Sequence, residues 1–185
     1  MRTQAEKAAV FRELHARQRP FLIPNPWDRG SALILESMGF EALATTSLGL
    51  ANMLGQSGVT LKQVLDTCRE ISDATQLPVN ADLENCFADE PREAAKAIRL
   101  ACEHGAVGGS IEDSTEDAQK PIYDFNLAVE RVQAAVEVAR SLPVPFMLTA
   151  RAENFLHGRR DMDDTGNERA TSTAACTRST ARLKS

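Results

Sequence analysis

The feature that most restricts how this chain can fold is a repeated order of apolar run, polar end and amphipathic stretch. Apolar runs at residues 21–24, 42–46, 78–81, 107–111 and 146–150 each lead into polar residues: Trp27-Asp28, Thr46-Ser47, Asp82 and Glu84, Glu112-Asp113, and Arg151 with Glu153. Strands alternating with helices in units of about 30 to 40 residues predict right-handed βαβ crossovers and a parallel sheet. Parallel α/β folds carry their chemistry at the carboxyl edge of the strands. Acids, hydroxyls and one arginine are directed to that edge here.

The intervening helices are legible from spacing and punctuation. Residues 3–18 place Ala9, Val10 and Leu14 among charges. Gly30-Ser31 opens a helix through Ala32, Leu33, Leu35 and Met38, and Gly39 closes it. Thr60 caps a helix carrying Leu61, Val64, Leu65, Cys68 and Ile71. Pro91 suits the first turn of a helix through Ala94, Ala97, Ile98 and Ala101, stopped by Gly105. A last helix is expected from about residue 125 to 140, and residues 50–58 are expected to be less regular.

The central stretch is Pro78-Val79-Asn80-Ala81-Asp82-Leu83-Glu84-Asn85. Read as a strand, it projects Asp82 and Glu84 to the same side. Two carboxylates so placed repel unless a proton or a cation lies between them. Mg2+, with its preference for hard oxygen ligands, is a natural occupant. The other reading is a strand running into an acidic, solvated turn.

At 185 residues the chain can bury one sizeable core, and its 43% hydrophobic and 25% charged content is that of a globular protein. A net charge of -5 without a Lys/Arg block argues against a nucleic-acid partner. Residues 1–18 are charged throughout, so no signal peptide is expected, and no apolar run reaches the roughly 18 residues of a membrane span. Cys68, Cys86, Cys102 and Cys176 form no C-x-x-C pair, so neither structural zinc nor a disulfide framework is expected. Cys102 and His104, two apart on a helix, point to different faces. A reducing cytoplasm is the expected location.

With these residues in view, the chain resembles the isocitrate lyase/phosphoenolpyruvate mutase superfamily, and within it the phosphonomutase-like branch. The resemblance rests on Pro24-Asn25-Pro26-Trp27-Asp28-Arg29-Gly30-Ser31-Ala32, Ala44-Thr45-Thr46-Ser47, the central stretch, Gly108-Gly109-Ser110-Ile111-Glu112-Asp113, and Leu148-Thr149-Ala150-Arg151-Ala152-Glu153-Asn154-Phe155. No one of these motifs is specific; five in family order over residues 20–165 are. The resemblance implies a TIM-type (β/α)8 barrel. It also implies Mg2+-dependent lyase, mutase or hydrolase chemistry on a C–C or P–C bond of a small α-oxo or α-hydroxy carboxylate, through an enolate-like species.

Carried over by position, Asp82, Glu84 and Glu112 would hold the metal, largely through water. Ser47, Leu48 and Gly49 would cradle the substrate carboxylate, and Arg151 would clamp substrate oxygens. Family members are typically homo-oligomers. Each role has a plainer counterpart. Arg151 could neutralise Glu153 or Asp82, Ser47 could cap the next turn, and Glu112-Asp113 could start a helix. Asp28 is as well suited to orienting neighbours as to meeting substrate, Lys120 suits solvation, and His157 stands isolated.

Several positions depart from the pattern. Isocitrate-lyase-type members carry Lys-Lys-Cys-Gly-His after the fourth strand, where this chain has Ala118-Gln119-Lys120-Pro121-Ile122-Tyr123. Isocitrate or methylisocitrate cleavage is therefore not expected. Leu54-Gly55-Gln56-Ser57-Gly58 lacks the Asp many members have there, and Cys86 and Ala88 replace glycines. If those backbones need positive φ, side chains there strain the loop.

Residues 166–185 contain no Val, Ile, Met, Phe, Tyr or Trp and only one Leu. Such a stretch cannot offset its ordering entropy by burial. The division expected is a partial barrel over residues 1–165, truncated after about five βα units, and a disordered or frame-shifted tail over 166–185. The alternative function is that of an inactive fragment keeping only residual metal or ligand binding.

Overall fold

The structure is a computed structural model, and it describes residues 1–115 and 117–159. The order of elements is α1 (Gln4–Ala16), α2 (Arg29–Ser37), β1 (Leu43–Ala44), α3 (Ser47–Leu54), α4 (Leu61–Ala74), β2 (Val79–Ala81), α5 (Pro91–Glu103), β3 (Gly108–Glu112), α6 (Phe125–Ser141) and β4 (Met147–Arg151). The strands form one parallel sheet in the order β1-β2-β3-β4. A parallel sheet needs a crossover between neighbours, and the helices provide it.

Caps explain where the helices begin. Thr3 with Glu6 and Thr60 with Gln63 form reciprocal capping boxes at α1 and α4. Asp28 caps α2, its Oδ1 accepting from Ser31 N at 2.7 Å. Glu90 caps α5 with Pro91 in the first turn. Gly39 and Gly105, at φ +87° and +90°, follow the ends of α2 and α5, as the spacing predicts.

The larger core lies between the sheet and α2, α4, α5 and α6, where Leu43, Val64, Ile71, Val79, Leu83, Ile98 and Ile111 are buried. A second cluster joins Ala8, Phe11 and Leu14 of α1 to Ala42, Val107 and Met147 at the strand starts. Helix α1 therefore covers the amino end of the sheet and leaves the carboxyl edge to the site. Gly108 permits this approach: a Cβ there would meet Phe11 Cε1 at 2.7 Å and the Met147 carbonyl at 2.8 Å.

Two expectations are corrected. Residues 21–24 are not a strand, although Ala44 N donates to Pro24 O at 3.0 Å. Pro24 has no N–H to return, and Pro20 and Pro26 flank the run, so the pairing with β1 does not extend beyond that bond. The described residues thus hold four strands rather than five. Of residues 50–58, expected to be less regular, 50–54 belong to helix α3: Thr46 Oγ1 accepts from Gly49 N at 3.2 Å, and Gly55 at φ +65° ends the helix. The expected tail at 166–185 lies outside the described residues. Among the described residues, no helix is long and apolar enough to cross a membrane.

Candidate active site

Strand register assembles the site. Glu112, the last residue of β3, is paired directly with Arg151, the last of β4. Ser110 lies two residues before Glu112 and so shares its face. Ala81 pairs with Gly109, which brings Asp82 level with Ser110, and Ser110 Oγ lies 3.4 Å from Asp82 Oδ1. Asp82 is further held by Thr45 Oγ1, which accepts from its N–H at 2.9 Å, and by Ser47 N, which donates to its Oδ2 at 2.9 Å. Three neighbouring strand ends thus orient one carboxylate.

Arg151 lies amid three acids. Its Nη1 is 2.5 Å from Glu112 Oε1 and 3.4 Å from Asp82 Oδ1, and its Nη2 is 2.8 Å from Glu153 Oε1. The Arg151 side chain is 44% exposed, whereas those of Glu112, Asp82 and Glu153 are 13%, 16% and 11% exposed. Burial pushes the Glu112 carboxyl up to about 7; Arg151 opposes this, and Glu153, Asp82 and Glu84 add to it. Asp113 braces the cluster from behind, its Oδ1 accepting from Glu153 N at 2.8 Å and its N–H donating to Arg151 O at 3.2 Å.

Glu84 reaches this region by a route that differs from the expected one. Strand β2 ends at Ala81, and Glu84 has φ +50°, so strand alternation does not govern it. Its carbonyl accepts from Glu112 N at 2.9 Å. Cys86 and Phe87 follow at φ +60° and +57°, so Cys86 takes the positive φ that strains a side chain, whereas Ala88 does not. Asp82 and Glu84 are near enough to Glu112 to raise its proton affinity, yet no three such residues form a ready ligand cluster among the described residues. Ser47 and Leu48 open α3, where Ser47 N is committed to Asp82 and Gly49 N to Thr46. A Cβ on Gly49 would meet Thr46 Cγ2 at 2.6 Å, so that position supplies space.

A cleft of about 610 Å³ is lined by Asn85, Phe87, Asp89, Thr115, Lys120 and Tyr123 among others, and none of Asp82, Glu84, Glu112 or Arg151 lines it. Lys120 is half-exposed and pairs with Asp124 at 2.7 Å. His157 is not isolated: its Nε2 is 3.0 Å from Ser114 Oγ. His104 instead closes α5, its Nδ1 2.7 Å from Leu100 O. Sequence reasoning passed over Thr45 and Ser110, which hold Asp82, and Arg131. The last had a signal, an arginine at helical spacing within the stripe Ala128, Ala135 and Ala139 of α6.

Comparison with known proteins accounts for this arrangement. The family profile described as phosphoenolpyruvate phosphomutase matches residues 11–181. The chain belongs to this family. A Burkholderia cenocepacia J2315 structure, provisionally named a lyase/mutase, is 54% identical with a TM-score of 0.90, over 93% of this chain and 62% of that one. The 2-methylisocitrate lyase of Salmonella typhimurium is 30% identical over 157 residues, 78% of this chain and 52% of the enzyme. Phosphonopyruvate hydrolase, crystallised with oxalate and Mg2+, matches at 17% identity and a TM-score of 0.82 over 91% of this chain and 60% of that one, a likeness of fold. The chain spans about half the length of the curated relatives it matches. The four described strands are accordingly part of a TIM-type (β/α)8 barrel, with the site at its carboxyl edge.

Proposed function

We propose that the strand-end cluster holds Mg2+ and a small α-oxo or α-hydroxy carboxylate, for cleavage, formation or rearrangement of a C–C or P–C bond through an enolate-like species. The observation that carries this reading is the Arg151 guanidinium set among Glu112, Asp82 and Glu153, with Glu112 raised to about 7. Three carboxylates, with Glu84 beside them, outnumber one guanidinium. That surplus of hard anionic oxygen suits a divalent cation. Mg2+ keeps several of its waters and takes few carboxylates directly, so it needs no ready three-ligand cage.

Asp82, Glu84 and Glu112 would hold the ion, largely through water. When bound it would supply Lewis-acid stabilisation of negative charge on a substrate oxygen. The remaining work falls to the chain's own groups. Arg151, partly exposed, presents paired N–H donors to substrate oxygens in place of a carboxylate partner. The Ser47 hydroxyl and the Leu48 N–H, in the first turn of α3, receive the substrate carboxylate at the positive end of that helix. Asp82, bound to Ser47 N, joins this cradle to the metal ligands. Glu112 exchanges a proton near neutrality, so protonation and cation binding compete at its carboxylate.

A second reading, ligand binding without turnover, is favoured by residues 114–124, which contain no Cys or His to move a proton. Thermal unfolding with and without Mg2+ and oxalate, an enolate mimic, tests the site itself. A ligand at about 100 times its Kd stabilises the native state by about 2.7 kcal/mol, so a clear rise in Tm is expected. No rise, with Asp82→Ala melting like the wild type, would overturn the metal site. A rise without turnover in a screen of small oxo-acids and phosphonates would favour binding alone.

A further inference from the structure

The connection from β2 to α5 holds a conformation that side chains disfavour. Glu84, Cys86 and Phe87 all have positive φ, and none is glycine. Local bonds contribute: Cys86 N donates to Leu83 O at 2.7 Å and Phe87 N to Asn85 Oδ1 at 2.8 Å. The wider restraint comes from α6. Arg131, 1% exposed, donates from Nη2 to Asn85 O and from Nη1 to Ala88 O and to Asp89 O, the last at 2.6 Å. Its guanidinium lies 4.2 Å from the centre of the Tyr123 ring. Tyr123 in turn donates to Asp89 Oδ1 at 2.5 Å and accepts from Asn85 Nδ2 at 3.3 Å.

One planar fork therefore grips carbonyls on both sides of Cys86 and Phe87. The Glu84 carbonyl is held separately by Glu112 N. With the carbonyls of Glu84 and Asn85 both fixed, the direction in which the Glu84 side chain leaves the backbone is set. Arg131 and Arg151 also line one small void together, as do Glu112 and Asp113. A buried cation is a poor way to gain stability, since an apolar side chain would fill the same space without losing hydration. Arg131 Nε has no hydrogen-bond partner among the described residues, which adds to that cost.

We infer that Arg131 is a positioning residue: it clamps the left-handed turn and thereby aims Glu84 at the metal site. The inference rests on the reading that Asp82, Glu84 and Glu112 hold Mg2+. Lysine at 131 would keep the charge but not the fork that reaches three carbonyls. Glycine at 86 would adopt φ +60° without steric cost and lessen the need for a clamp.

The test is a calorimetric Mg2+ titration, with melting curves, of the wild type, Arg131→Lys, Cys86→Gly and the double variant. Arg131→Lys is expected to weaken Mg2+ binding about 10- to 100-fold, the range for residues that orient metal ligands. Cys86→Gly should bind like the wild type, and the double variant should recover most of the loss. A lower Tm for Arg131→Lys with unchanged Mg2+ affinity would overturn the inference, as would an affinity loss that glycine does not recover. If Arg131→Lys does not fold, Tyr123→Leu, which removes the ring beneath the guanidinium, must weaken Mg2+ binding, and unchanged binding would overturn the inference. A wild type that binds no Mg2+ would remove the metal reading and this inference together, whereas binding by the wild type isolates the failure to Arg131.

Discussion

Arg151 and Arg131 stand on successive elements and do opposite things. Arg151 ends a strand, is 44% exposed on its side chain, and touches three carboxylates. Arg131 lies inside α6, is 1% exposed, and bonds three backbone carbonyls beneath an aromatic ring. Carboxylate partners near water can be exchanged for a ligand's oxygens. Carbonyl partners in the interior cannot be exchanged without leaving polar groups unpaired. The same guanidinium chemistry thus yields a half-exposed group bound to carboxylates at the strand ends and a buried one bound to carbonyls behind it.

The largest effect expected is on stability, from Arg131→Ala. It strands the carbonyls of Asn85, Ala88 and Asp89, and should cost on the order of 3 kcal/mol, about 1 for each bond lost. Urea unfolding measures it, and a loss under about 1 kcal/mol would mean the carbonyls find water readily and the clamp is dispensable.

The next effect is one of pH, at the exposed clamp. Glu112 has a folded-state value of about 7, above the 4.5 of a free glutamate. Between those values the native state holds more proton than the unfolded chain, so stability falls as pH rises. The contribution of Glu112 is fully present below pH 4.5 and lost through pH 7 in the metal-free protein. Glu112→Gln, which stays neutral, should remove this component, so its advantage over the wild type grows across that window. Chemical denaturation at several pH values measures the difference, and a pH-independent gap would show that Arg151 keeps Glu112 ionised throughout.

Much of this architecture is legible in the sequence, because burial leaves periodic marks. Helices α4 and α5 follow from Val64, Leu65, Cys68 and Ile71, and from Ala94, Ala97, Ile98 and Ala101, all buried. The meeting of Arg151 with Asp82 and Glu153 follows from polar strand ends in neighbouring units, whereas its 2.5 Å partner Glu112 depends on the register of β3 with β4. What is not legible depends on partners distant in sequence. The run at 21–24 is apolar enough for a strand, but its prolines deny it a ladder. Helix α3 is short and starts Ser47-Leu48-Gly49, a composition that resembles a loop until Thr46 is known to cap it. Glu84 escapes strand alternation because a left-handed turn carries it, and that turn depends on an arginine 47 positions later in the chain.

Arg151→Ala should be milder in stability than Arg131→Ala despite its three partners. Ion pairs at a half-exposed side chain are screened, and the loss expected is about 1 kcal/mol. Its clearer mark is electrostatic. Arg151 is what lowers the Glu112 proton affinity against burial and the neighbouring acids, so without it Glu112 should titrate above about 7. Carbonyl NMR of the glutamates reads this directly, and an unchanged Glu112 would mean that the 2.5 Å pair does not persist in solution.

Lys120 supplies the lower bound of the series. It lines the 610 Å³ cleft, as neither arginine does, and is paired with one carboxylate, Asp124, at 2.7 Å, yet both side chains are more than half exposed. Water solvates each partner nearly as well as the other does, and ordering two flexible chains offsets most of what attraction remains. Lys120→Ala should therefore change stability by no more than about 0.5 kcal/mol, less at high salt. The ranking Arg131, Arg151, Lys120 would then follow burial rather than the number of charged partners. A loss at Lys120 equal to that at Arg151 would break the ranking, and would mean that residues 114–124 are held by charge more firmly than their exposure implies.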